Sequence, residues 1–135
     1  MSVVAWCMQD YRRIVAWQRA HALSIEIHRL ARGFSHAGFT NLRSQITRAA
    51  DSVPATIVEG CGASTPKEFA RFLDMAIKAA NETEYHLLKA RDHDLITQRD
   101  WQHYTAETTE IRKMVYGYRK SVLTRAGMGS TLAPS

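Results

Sequence analysis

Six histidines and two cysteines have the widest chemical repertoire in this 135-residue chain. His21 with His28, and His86 with His93, stand seven residues apart and so share a helical face. Two turns of helix part such backbones by about 10 Å, too far for both rings to grip one ion directly. The metal-carrying pattern of helical bundles is Glu-x-x-His, and no glutamate here has a histidine three residues later. No metal and no cofactor are expected. Cys7 and Cys61 lie outside any Cys-x-x-Cys pair, which fits a reducing compartment rather than a disulfide framework. Cys61, at a helix end, reads as a small packed residue. The chain has no glycine-rich phosphate loop, no Gly-x-Ser-x-Gly and no His-Glu-x-x-His. No catalytic residue is assigned, and the expectation is a protein that is not an enzyme.

Cations offer the better chemistry. Arg112, Tyr116 and Arg119 share one helical face at four- and seven-residue spacing, with Lys113 and Lys120 alongside. Arginine for phosphate and an aromatic ring for a base are the minimal set for nucleic-acid contact. Arg12, Arg19, Arg29 and Arg32 add to it from the first helix. The net charge of +5 is unevenly spread. Residues 1–50 hold seven arginines against Asp10 and Glu26, residues 51–110 hold six basic against eleven acidic side chains, and residues 111–135 hold five basic side chains and no acid. An up-and-down bundle would bring those two basic ends together. A solvated basic face that binds nothing is the competing reading.

The elements that position these residues are four helices. With 45% hydrophobic and 23% charged residues the chain has the apolar content of one folded domain. Asp10 can cap a first helix to about Phe34, with Trp17, Ala20, Ser24, Ile27 and Ala31 recurring every three or four residues. Thr40 or Asn41 can cap a second, Leu42 to about Cys61, with a bend expected at Ala50–Pro54 because proline removes a hydrogen bond. Thr65, Pro66 and Glu68 form a capping box that starts a third helix, running to about Arg91. Thr97 and Asp100 repeat the pattern for a fourth, whose seam is Trp101, Tyr104, Thr108, Ile111, Val115, Tyr118 and Val122. The expected organisation is an N-terminal extension 1–9, a bundle 10–125 and a flexible tail 126–135. The short apolar run Val3–Met8 is neither a signal peptide nor a span, so neither secretion nor membrane insertion is expected, and the location expected is cytoplasmic.

The second helix is apolar nearly all round. Leu42, Ile46, Ala49, Val53 and Ile57 form one face, while Ser52, Ala55 and Val58 leave the opposite side small and uncharged. A four-helix monomer covers only one of these faces, so a second copy of the chain is the natural cover. Arg48 and Glu59, eleven residues apart on that outer side, could pair across a subunit boundary, and Glu84 could act similarly from the third helix. A deeply set helix under a loop is the alternative.

Two stretches resemble a known family. Ser44-Gln45-Ile46-Thr47-Arg48-Ala49-Ala50-Asp51-Ser52-Val53-Pro54-Ala55-Thr56-Ile57-Val58-Glu59-Gly60 is similar to "SQIRRAAxSIPxNIAEG", and Lys67-Glu68-Phe69-Ala70-Arg71-Phe72-Leu73-Asp74-Met75-Ala76 to "KEFxRFLxIA". Glu82 and Glu84 stand at paired acidic positions, and Trp17-Gln18-Arg19-Ala20 is similar to "WQKA". These patterns belong to the small four-helix-bundle proteins encoded within intervening sequences of bacterial large-subunit ribosomal RNA genes. Thr47, Thr56 and Lys78 depart from the usual arginine, asparagine and glycine. The resemblance implies a four-helix bundle assembling as a ring-like pentamer. Through the related accessory proteins of diversity-generating retroelements, it also implies nucleic acid and a reverse transcriptase as partners. The functional expectation is a homo-oligomeric, all-α, antiparallel bundle that presents a basic surface to RNA or DNA. The alternative is a structural adaptor for a protein partner.

Overall fold

The computed structural model describes residues 10–127. They form four α-helices: α1 (Val15–Leu30), α2 (Thr40–Cys61), α3 (Pro66–Asp92) and α4 (Gln98–Gly127). Each helix packs on the next, and α4 returns to lie against α1. Side-chain pairings show antiparallel neighbours. Phe39, at the entry to α2, meets His93 just past α3, whereas Gly60 near the end of α2 abuts Phe69 near the start of α3. Asp74 early in α3 reaches Arg119 late in α4, and Glu84 reaches Arg112. This is the up-and-down bundle expected from short connections.

The interior follows the three- and four-residue stripes. Ile27 of α1, Ile46 and Ile57 of α2, Phe69, Leu73 and Leu87 of α3, and Ile111, Val115 and Val122 of α4 are all fully buried. Thr83 and Thr108, buried among them, donate to the carbonyls of Ala79 and Tyr104 one turn earlier, so their hydroxyls are satisfied without a partner across the core.

Local chemistry explains where the helices begin. Thr65 accepts from the Glu68 N–H at 3.1 Å and the Glu68 carboxylate accepts from the Ser64 N–H at 3.1 Å, while Thr97 accepts from Asp100 N–H at 3.0 Å. Two expected starts are corrected. Asp10 caps only a short 3-10 turn, Tyr11–Arg13, because Ile14 is extended at φ −85°, ψ 116° and α1 begins after it. Thr40 is the first residue of α2 instead of its cap, which falls on Phe39 with no side-chain hydrogen bond. A 3-10 turn, Ala31–Phe34, and Gly38 at φ +90° carry α1 into α2, a backbone angle at which any side chain would be strained. Helix α2 stays continuous through Pro54, and α4 extends two residues past the expected Arg125. The extension 1–9, and the tail beyond Gly127, lie outside the described residues.

Candidate nucleic-acid interface

The cations expected on α4 do not form one free face. Arg112 donates to Glu84 at 2.6 Å and to Asn81 at 3.1 Å, and Arg119 Nε stands 2.6 Å from Asp74 Oδ1. Both arginines therefore point across the seam at α3. Arg19 of α1 makes a two-pronged contact with Glu107 of α4, at 2.9 and 2.6 Å. That contact holds the Glu107 carboxyl below the usual carboxylate range, against the opposing effect of burial. Arg12 is engaged by Asp10, and Lys113 stands 3.7 Å from Glu110. Tyr116 and Lys120 remain exposed. The acidic middle of the chain thus engages four cations of its basic ends, Arg19, Arg112, Lys113 and Arg119. Replacing Arg112 and Arg119 together by glutamine is expected to lower unfolding stability by about 1–2 kcal/mol, because each pair is only partly exposed. The same double variant should leave nucleic-acid affinity within about twofold; urea unfolding and a binding titration check the two halves.

A second surface keeps its cations. Between α1 and α2 runs a groove of about 570 Å³, floored by Pro54, Ala55 and Val58 of α2. At one end Tyr11 meets Trp17 edge-on, and Trp17 stacks on His21 with ring centroids 4.9 Å apart and planes within 6°. At the other end stand Arg29 and Arg32, both exposed and neither in an ion pair among the described residues. The groove's carboxylate, Asp51, accepts from His28 at 2.9 Å. A helix rise of about 1.5 Å per residue puts roughly 18 Å between the Trp17 and Arg29 backbones. The sequence reading places Trp17 on the core stripe and in the Trp17-Gln18-Arg19-Ala20 stretch, and His21 as a non-ligand, without joining the two. Their four-residue spacing was the available signal for a stacked pair.

The outer strip of α2 is open. Arg48, Ala55 and Glu59 are exposed, Ser52 and Val58 half-buried. Arg48 and Glu59 form no ion pair among the described residues, whereas Glu84 is taken by Arg112 within the chain. Val58 lines the groove against α1, and Arg48, Ser52 and Ala55 line a second depression that adjoins it through Asp51 and Ala55.

Other reactive groups are quiet. Burial pushes the Cys61 thiol up to about 11, so it is protonated at neutral pH. Among the described residues no three His, Cys, Asp or Glu side chains come together as an ion would require. Nor, among those residues, is any helix long and apolar enough to cross a membrane.

Fold and surface together define an up-and-down four-helix bundle with a cationic, aromatic groove between its first two helices. The chain belongs to the 23S rRNA-intervening sequence protein family, whose pattern matches residues 12–117. It is similar to a solved structure from Bacteroides thetaiotaomicron, a protein of unknown function from the S23 ribosomal protein family. The two share 27% identity and a TM-score of 0.75, over 78% of this chain and 96% of that one. No curated protein matches it.

Proposed function

We propose that this chain is a non-enzymatic, cytoplasmic, nucleic-acid-binding bundle, acting as an accessory to an RNA-based or retroelement-type machinery. The observation that carries the reading is the pair Arg29 and Arg32, exposed and in no ion pair among the described residues, in the same groove as the Trp17–His21 stack, whereas Arg19, Arg112 and Arg119 are spent within the bundle. Phosphate contacts by free arginines supply affinity, and aromatic faces supply base contacts. The family's tie to intervening sequences of 23S rRNA genes supports RNA as the ligand class. Self-association belongs to the same proposal, through Arg48, Ser52 and Glu59 on the outer strip of α2; Ala55 and Val58, also expected at that contact, floor the groove and are assigned here to the nucleic acid.

The test is titration of mixed-sequence RNA and DNA at several salt concentrations, with light scattering on the same preparation. Replacing Arg29 and Arg32 by glutamine should weaken binding at least tenfold near 0.1 M salt, and flatten the slope of log affinity against log salt by roughly 1.4–1.8. An unchanged slope, or a parent protein whose affinity ignores salt, overturns the reading. A second reading, a structural adaptor that holds a protein partner and no nucleic acid, is favoured by one observation: Arg19, Arg112 and Arg119 all hold the bundle together.

A further inference from the structure

We infer that the α1–α2 groove takes single-stranded nucleic acid in preference to duplex; this rests on the nucleic-acid reading above and narrows it. The Trp17 and His21 rings are nearly parallel, and His21, the outer ring of the two, is exposed. A base laid on His21 would extend the stack by one ring. Only an unpaired base can do so, because in a duplex the base faces are covered by their neighbours and the outside offers edges and phosphates. The groove's size agrees, since about 570 Å³ falls in the range that holds a small molecule, not a double helix. A strand running from the stack toward Arg29 and Arg32 would carry its phosphates to the two free arginines, the first of which lies two turns further on, about 12 Å along α1 from the His21 backbone.

Near the stack the groove offers little with which to read sequence. Its floor of Pro54, Ala55 and Val58 carries no hydrogen-bonding side chain. The Ser24 hydroxyl is already donated to the His21 carbonyl at 2.7 Å, and Asp51 is already held by His28. Stacking without edge recognition gives sequence-tolerant binding.

The experiment uses the whole chain and three labelled probes of equal length: a mixed-sequence single-stranded RNA, an abasic strand with the same phosphates, and a duplex. The RNA strand is expected to bind at least tenfold tighter than the duplex at equal salt. His21→Ala should weaken RNA binding by roughly five- to tenfold and leave the abasic strand and duplex unchanged, while His21→Phe restores it. Circular dichroism confirms that both variants keep the helices. If the abasic strand or the duplex matches the RNA, the surface senses charge alone; the inference fails although the nucleic-acid reading survives. If none of the probes binds, both fail, and a change of mass for His21→Ala by light scattering would then assign the groove to a second copy of the chain.

Discussion

Valine in place of Gly60 is expected to lower unfolding stability by about 2–3 kcal/mol, the cost of forcing extra carbon into a close-packed seam. A Cβ at this position would stand 2.6 and 2.8 Å from two atoms of the Phe69 ring and 3.0 Å from Phe72 Cβ. Phe69 is fully buried and cannot swing aside, and Phe72 is approached at its root, so α2 and α3 must separate for the new atoms to fit. The helix gains a few tenths of a kcal/mol from losing a glycine, too little to offset this. The contact is specific, so its partner can relieve it. Gly60→Val combined with Phe69→Leu should be more stable than the sum of the single changes by at least about 1 kcal/mol. Strict additivity in urea unfolding of the four-member cycle would show that the seam is not the origin of the loss.

Acid should weaken the bundle in two separate steps, the first caused by His86. This ring is 6% exposed, its Nδ1 has no hydrogen-bond partner, and burial lowers its proton affinity below the ordinary 6.5, with Glu82 opposing and Lys89 assisting. The unfolded chain therefore takes up a proton at a higher pH than the folded one, and stability falls as pH drops below about 6.5, levelling off beneath the folded value. Glu107 acts in the same direction but at lower pH. Its carboxyl is depressed by Arg19, so the stability it contributes is present above the ordinary value of 4.5 and is lost only as pH falls through the lower folded value. His86→Leu should remove the first step and leave the second. It should also raise stability by about 1 kcal/mol at pH 7, because a buried unpaired nitrogen is gone. Unfolding curves at pH 7.5, 6, 5, 4 and 3 separate the two windows, and a parent protein equally stable at 7.5 and 5 contradicts the assignment.

Much of the architecture was legible in the sequence because helix boundaries are local chemistry. Thr65, Pro66 and Glu68 announce α3 wherever the rest of the chain lies, and the three- and four-residue stripes name the buried residues. What misled was also local. Asp10 looks like the cap of a long helix, yet the extended backbone at Ile14 is set by packing against the bundle. The candidate site was less legible because charge pairing is a property of neighbouring helices. Arg112 and Arg119 share a face on α4, but only the packed structure tells that this face looks at Glu84 and Asp74. Arg29 and Arg32 differ from them in making no ion pair among the described residues, the one carboxylate across the groove, Asp51, being held by His28, which no spacing rule within α1 reveals.

The contact of Arg19 with Glu107 is the feature that joins the beginning of the described chain to its last helix. Every other large seam links helices that are consecutive in the sequence, so a chain leaving the ribosome can dock α2 on α1 and α3 on α2 as each emerges. The fourth wall has to wait. Until residue 107 and those after it are made, Arg19 has no counter-ion and the apolar flank of α1 has no neighbour. The nascent three-helix form is therefore the stage at which this protein is most exposed to chaperones, proteases and premature association.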